Sequence, residues 1–497
     1  MTTITHWING EAYEGTPAAT QDVENPATGE VEGTLLMASS KDLDHAVTVA
    51  REAQKTWQNY SLAKRVAIMY KMRELVLANQ DELAKAIVNE HGKDYSDALG
   101  EIQRGRETLD FACGIDAALK GEYSSNVSTG VDVHSIRQPV GVVAGICPFN
   151  FPVMVPMWMH PIAIATGNAF ILKPATPTPT ASLIIARLYK DAGLPDGVFN
   201  VVSGSRHLVE DMLKHPGIDA ISFVGSTPVA HIIQNTGVQH GKRVQALGGA
   251  NNHAIVMPDC DLEFAAKHIS AAAFGAAGER CMALPVVVAV DGIGDKLAEE
   301  VKKHAEKIKV GYGLDEGVQM GPVISADAKK RIVGLVDDAE KQGATVTLDG
   351  RKLTIEGHEG GHFIGPTIVT NVPLDCDLYN DEVFGPVLTI VEADSYEQAI
   401  EIVNNQPFGN GAAIFTNDGG AARTFQLDVE AGMVGVNVPI PTPVAYYSFG
   451  GWKDSLIGDT HIHGPEGLRF CTRAKVITTR WPSEGTFEAT MSFQREE

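Results

Sequence analysis

Apolar residues recur at intervals of three and four between residues 40 and 92: Leu43, Ala46 and Ala50, then Leu62, Val66, Met69, Met72 and Val76. That period gives each helix one apolar face, with Ser61 as a predicted N-cap and Gly92 as a predicted stop. Such helices look like cover for a sheet. Residues 121–139 differ, because Tyr123, Val127, Val131, Val133 and Ile136 alternate loosely with polar residues and glycine, the pattern of a hairpin. Residues 468–479, with Phe470, Thr472 and Val476, predict a late strand to pair with it. Two strand-rich pieces far apart in sequence, neither able to bury itself alone, predict an excursion that builds an oligomer interface.

From Gly141 to Gly249 predicted strands and helices alternate with short connections, as a doubly wound parallel sheet requires. Strands are expected at 169–172, 198–202 and 220–224. Helices are expected at 180–192, closed by Gly193, then from Arg206, and again where Ser226 and Pro228 open one. A second α/β unit begins near Gly249, with helices around 262–277 and 296–309, and ends near Pro443. The class is therefore α/β, and 497 residues are enough for two or three interlocked domains.

Charge narrows the function. With 62 acidic against 40 basic side chains and a formal charge of -22, non-specific binding to nucleic acid or anionic membranes is disfavoured, so an anionic ligand must meet a local positive site. Six scattered cysteines form no Cys-x-x-Cys pair, which argues against zinc and against a disulfide framework; no metal site is expected. The polar N-terminus and the lack of a run of about 18 apolar residues lead us to expect a cytoplasmic protein.

Four pieces carry candidate chemistry. In Phe274-Gly-Ala-Ala-Gly-Glu-Arg-Cys281-Met a glycine-punctuated turn could expose a thiol beside Arg280, whose charge would favour the thiolate nucleophile. In Ile146-Cys-Pro148-Phe149-Asn150-Phe-Pro152 one amide stands between two stiffening prolines, suited to donating to an oxyanion. Val224-Gly225-Ser226 runs from a strand into a helix N-terminus, where Ser226 could serve as cap and as phosphate partner. Lys173 ends a strand and could reach a ribose or phosphate.

In this order the pieces resemble the aldehyde dehydrogenase superfamily over nearly the whole chain, and Asp381-Glu382-Val-Phe384-Gly-Pro386 is similar to its segment for the cofactor ribose and nicotinamide. The resemblance implies a Rossmann-like cofactor domain (1–120 and 140–248), a catalytic domain (249–445) and oligomerisation segments (121–139 and 446–497), in a dimer or tetramer. It implies Cys281 as nucleophile and Asn150 as oxyanion donor. Phe149, Lys173, Thr176, Gly225, Ser226, Glu382 and Phe384 would bind the cofactor.

Hydrolytic members carry a glutamate that activates water about 34 residues before the nucleophile. Here that place is Leu247 by count, or Ala246 by matching the Leu-Gly-Gly letters, and neither accepts a proton. Without a base, deacylation by water should lose roughly two to four orders of magnitude, so a thiol such as coenzyme A is expected as acyl acceptor. Stretches such as Ala250-Asn-Asn-His253 and Gly435-Val-Asn-Val-Pro-Ile-Pro441 are similar to the CoA-acylating methylmalonate semialdehyde dehydrogenases. That branch implies Arg104 and Arg280 as ligands of a substrate carboxylate, which bidentate guanidinium recognition suits, and NAD as cofactor. Thr176 stands where NAD-preferring members generally place a glutamate, which leaves NADP as the alternative.

Overall fold

The computed structural model of the protein describes residues 2–481. The helical stretch at the start of the chain resolves into three helices, Ser40–Trp57, Leu62–Ala78 and Gln80–His91. Ser61 accepts the Lys64 amide at the start of the second, and Gly92 ends the third at φ +94, a left-handed position that glycine takes without a Cβ penalty. A fourth helix, Tyr95–Cys113, follows at once.

An eight-stranded sheet runs in the order Leu456–Ile457, Arg243–Leu247, Ala220–Val224, Val142–Ile146, Ala169–Lys173, Phe199–Val201, His6–Ile8, Glu11–Tyr13. The strands from Arg243–Leu247 to Phe199–Val201 are parallel, and the remaining three pair antiparallel at its edges. A seven-stranded sheet holds His253–Val256, Val286–Val290, Val387–Ala393, Thr367–Thr370, Gly411–Phe415 and Met433–Val436 in parallel, with Thr345–Leu348 antiparallel at one edge. Its central strand, Val-Val-Val-Ala-Val, is buried throughout, because helices cover both faces of a parallel sheet and leave no polar side.

The hairpin Tyr123–Ser128 and Val131–Pro139 forms a third sheet with Thr472–Arg480, antiparallel from Thr472 opposite Pro139 to Arg480 opposite Val131. The expected late strand is shorter than its pattern suggested. Residues 468–471 belong to the helix Gly464–Cys471, where Leu468 and Phe470 are buried in a core shared with the eight-stranded sheet. The helix expected over 262–277 likewise stops at Phe274, and the one expected over 296–309 spans Gly294–Ala305. Residues 482–497 of the last segment lie outside the described residues. Among the described residues no helix is long and apolar enough to cross a membrane.

Candidate active site

In the eight-stranded sheet the chain winds outward one way from Val142–Ile146 and then returns to the other side of it with Ala220–Val224. A crevice opens outside the carboxyl ends of such strands. The seven-stranded sheet meets that edge with the segments that precede its own strands: Asn252, Cys281, Glu382 and Asn410 each stand just before one. Between the two lies a cavity of about 690 Å³, and Phe149, Lys173, Thr176, Gly225, Ser226, Glu382 and Phe384 all line it. Val209, Leu213, Val229, Ile232 and Ile233 give one end an apolar wall.

The donors in this cavity suit a dinucleotide. Lys173 is buried at the end of its strand, and burial lowers its pKa. Ser226 has the extended backbone of an N-cap, but its side chain makes no capping bond to the helix Thr227–Gln239. Ser226 therefore stands at the expected N-cap position without a side-chain capping bond, while Thr227 anchors the turn, donating to the Asp454 carbonyl and accepting the Gly249 amide. The Ser226 hydroxyl stays available to a ligand.

A second cavity, of about 530 Å³, is lined by Arg104, Arg280, Asp97, Glu107, Trp158 and Phe449 among others. Cys281 lines both cavities. It follows the turn Gly275–Gly278, in which Ala276 (φ 51), Ala277 (φ 52) and Gly278 (φ 72) are all left-handed. Alanine in that region costs about 1 kcal/mol or more, so packing must hold the turn. Just after it, Asn252 and Asn410 fix the chain, each donating to the Cys281 carbonyl at 2.9 Å. Asn150 is buried and donates through Nδ2 to the Glu279 carbonyl at 2.9 Å, which ties its side-chain amide to the loop that carries Cys281.

Two sequence expectations take a different weight in the structure. Arg280 favours the Cys281 thiolate in direction, as expected, but it is outweighed: burial, reinforced by Glu382, pushes the thiol up to about 12. Its Nη2 is already paired with Asp97 at 2.5 Å. Arg104 pairs with Glu107, one helical turn on, at 3.0 Å. Both arginines line the second cavity with one acidic partner each, and each offers a further carboxylate the donors its own pair leaves over.

Glu382 accepts the Ala250 amide at 3.0 Å, yet burial holds its carboxyl up to about 7. Burial likewise raises Glu279, whose Oε1 accepts the Ile324 amide, to about 8. Leu247 and Ala246 are buried at the end of their strand. Sequence reasoning missed Asn410, Lys93 and Glu101, and it quoted Asn252 without giving it a role. A signal existed for two of them, since Lys93 precedes two carboxylates, Asp97 and Glu101, at four-residue intervals running into the helix Tyr95–Cys113.

Residues 13–477 match the aldehyde dehydrogenase family. The chain belongs to that family. It is 48% identical over 492 residues to the malonate-semialdehyde dehydrogenase of Pseudomonas aeruginosa, covering 98% of each chain. Malonate-semialdehyde dehydrogenase 1 of Geobacillus thermodenitrificans is 48% identical over 480 residues, 96% of this chain and 99% of that one. Among solved structures, methylmalonate-semialdehyde dehydrogenase of Oceanimonas doudoroffii superposes with a TM-score of 0.96 at 48% identity, covering 98% of this chain and 99% of its own. A candidate methylmalonate-semialdehyde dehydrogenase of Sinorhizobium meliloti, solved in complex with NAD, gives 0.96 at 46% identity with the same coverage. As an aldehyde dehydrogenase the chain is an oxidoreductase, and its α/β fold is that of the family.

Proposed function

We propose that this aldehyde dehydrogenase oxidises methylmalonate or malonate semialdehyde and passes the acyl group to coenzyme A, yielding propanoyl-CoA or acetyl-CoA with loss of CO2 or bicarbonate. The observation that carries the reading is the position of Cys281 between two cavities of different chemistry, one shaped for a dinucleotide and one bearing Arg104 and Arg280. The names of the relatives support the substrate class. The neighbour solved with NAD supports NAD as cofactor.

Lys173 and Glu382 would hold cofactor ribose groups, Gly225 and Ser226 the pyrophosphate, and Phe149 and Phe384, edge to face with centroids 5.8 Å apart, the nicotinamide end. When bound, the nicotinamide supplies a hydride acceptor. Thr176 sets no carboxylate against a 2′-phosphate, and Arg206 lines the same cavity, so NADP is the second cofactor to assay. The remaining donors of Arg104 and Arg280 would orient the substrate carboxylate. The Cys281 sulfur adds to the aldehyde carbon as its proton leaves, and the new oxyanion lies against the Asn150 amide and the Cys281 N–H. Loss of hydride leaves a thioester at Sγ. A carboxylate β to that carbonyl departs as CO2, its electron pair passing into a thioester enolate that takes up a proton. The coenzyme A thiol then displaces Sγ, restoring the Cys281 thiol.

A hydrolytic reading has one observation in its favour: Glu382 lines the same cavity as Cys281 with a carboxyl near neutrality, and could deprotonate water in the absence of a glutamate at 246 or 247. Incubation with methylmalonate semialdehyde and NAD, with and without coenzyme A, separates the two by mass spectrometry. Propanoyl-CoA formed at a coenzyme A-dependent rate is expected; free acid at an equal rate without coenzyme A would replace the acylating reading by the hydrolytic one. The sheet of Tyr123–Ser128, Val131–Pro139 and Thr472–Arg480, with Tyr123, Ile136 and Val476 exposed, is proposed as the contact surface of a dimer or tetramer.

A further inference from the structure

The connection between the helices Gln80–His91 and Tyr95–Cys113 carries charge that the reaction scheme leaves unused. Lys93 is fully buried, and its Nζ donates to Glu101 Oε2 at 2.8 Å and to the Asn150 carbonyl at 2.7 Å. The same ammonium stands 4.1 Å from the centre of the Phe151 ring. Glu101, also buried, accepts the Val153 amide at 2.7 Å and the Met154 amide at 3.1 Å through its other oxygen. One ion pair thus grips residues 150–154 at a carbonyl, a ring and two amides, just where that segment enters the helix Met154–Ala165.

Stability alone does not account for this arrangement. Removing an ammonium and a carboxylate from water costs several kcal/mol per ion, and apolar side chains of similar volume often serve a core at least as well. What the pair adds is geometry. Asn150 has its carbonyl held by Lys93 and one Nδ2 hydrogen taken by the Glu279 carbonyl, so both its main chain and the plane of its amide are set, and the second Nδ2 hydrogen has a fixed direction. Asp97, 4.0 Å from the Lys93 ammonium, pairs with Arg280, and Asp97 and Glu101 both stand in the wall of the cavity that Arg104 and Arg280 line.

We propose that the buried Lys93–Glu101 pair is a positioning device for the reaction, holding the Asn150 main chain so that its side-chain amide meets the oxyanion formed when Cys281 adds to the aldehyde. Lys93 acts through Asn150 and touches neither substrate nor cofactor. The proposal rests on the reading of Asn150 as oxyanion donor, and its test separates the two.

Lys93→Met and the charge-free pair Lys93→Met/Glu101→Gln are to be made in the natural chain and in Asn150→Ala, with single-turnover NADH formation and NAD affinity as readouts. Asn150→Ala should slow the turnover by about 100-fold or more; Lys93→Met should slow it by about 10- to 100-fold, the scale of a small misplacement, with NAD affinity within about twofold. In the Asn150→Ala background Lys93→Met should cost less than about threefold further, because residues acting as one unit are not additive. If Lys93→Met leaves a lone buried carboxylate and fails to fold, the double replacement, which buries no charge, carries the same comparison. Full turnover rate in either Lys93 variant, or losses that multiply with Asn150→Ala, would overturn the proposal. An unimpaired Asn150→Ala would instead remove the oxyanion reading beneath it.

Discussion

Cys281 holds its thiol in an environment that burial and Glu382 push up to about 12, so the free protein at neutral pH carries very little thiolate. Below such a value the thiolate fraction grows about tenfold per pH unit. Iodoacetamide labelling of Cys281, followed by peptide mapping, should therefore accelerate about tenfold from pH 7 to 8 and again from 8 to 9. A plateau below pH 8 would mean that the free protein already activates the thiol, as the sequence-based expectation for Arg280 had it. The proximity of Arg280 in the chain was plain from sequence. Its neutralisation by Asp97, 183 positions away, was not, because a charge influences a neighbour only through the partners the fold gives it.

The elements that carry the site are held by backbone geometry as much as by side chains. Gly278 is left-handed at φ 72, and a Cβ there would lie 2.0 Å from the Gly385 carbonyl oxygen, so the turn that precedes Cys281 and the Phe384–Pro386 turn touch backbone to backbone. Gly278→Ala should destabilise the protein by more than about 2 kcal/mol and abolish turnover, measured by thermal melting and NADH formation; a soluble variant with full activity would show that the turn has room to relax. Most elements were legible from period: three- and four-residue spacing for the helices 40–92, continuous apolar runs for the buried strands. Residues 468–471 misled because a short buried helix and a strand share the same apolar pattern, and only packing against the core distinguishes them. The left-handed alanines at 276 and 277 had no sequence signal, since alanine favours neither that conformation nor a turn.

For the whole molecule, the decisive feature is the meeting of two sheets at opposite strand ends, with the C-terminal segment reaching back across the first. Arg243, on the eight-stranded sheet, donates to the carbonyls of Arg469, Phe470 and Thr472 at 3.0, 2.7 and 2.7 Å, capping the end of the helix Gly464–Cys471 and aiming the chain into its last described strand. Arg243→Ala should cost about 1–3 kcal/mol and speed amide exchange in Thr472–Arg480 while sparing Val142–Ile146, as followed by hydrogen exchange with mass spectrometry. Equal exchange in both segments would assign that anchoring to the strand ladder alone.

Sequence by itself determined the α/β class, the order of most elements, and the absence of a proton-accepting side chain at 246 and 247, because period, turn chemistry and residue type act over a few positions; the roles expected of Cys281 and Asn150 came from family resemblance. Only the tertiary structure decided that Cys281 opens on two cavities, that Arg104 and Arg280 arrive already paired, that Lys93 and Glu101 lie beneath Asn150, and that Glu382 shares the thiol's cavity. Those facts depend on burial and on partners distant in the chain, and neither exists until the two sheets have closed on each other.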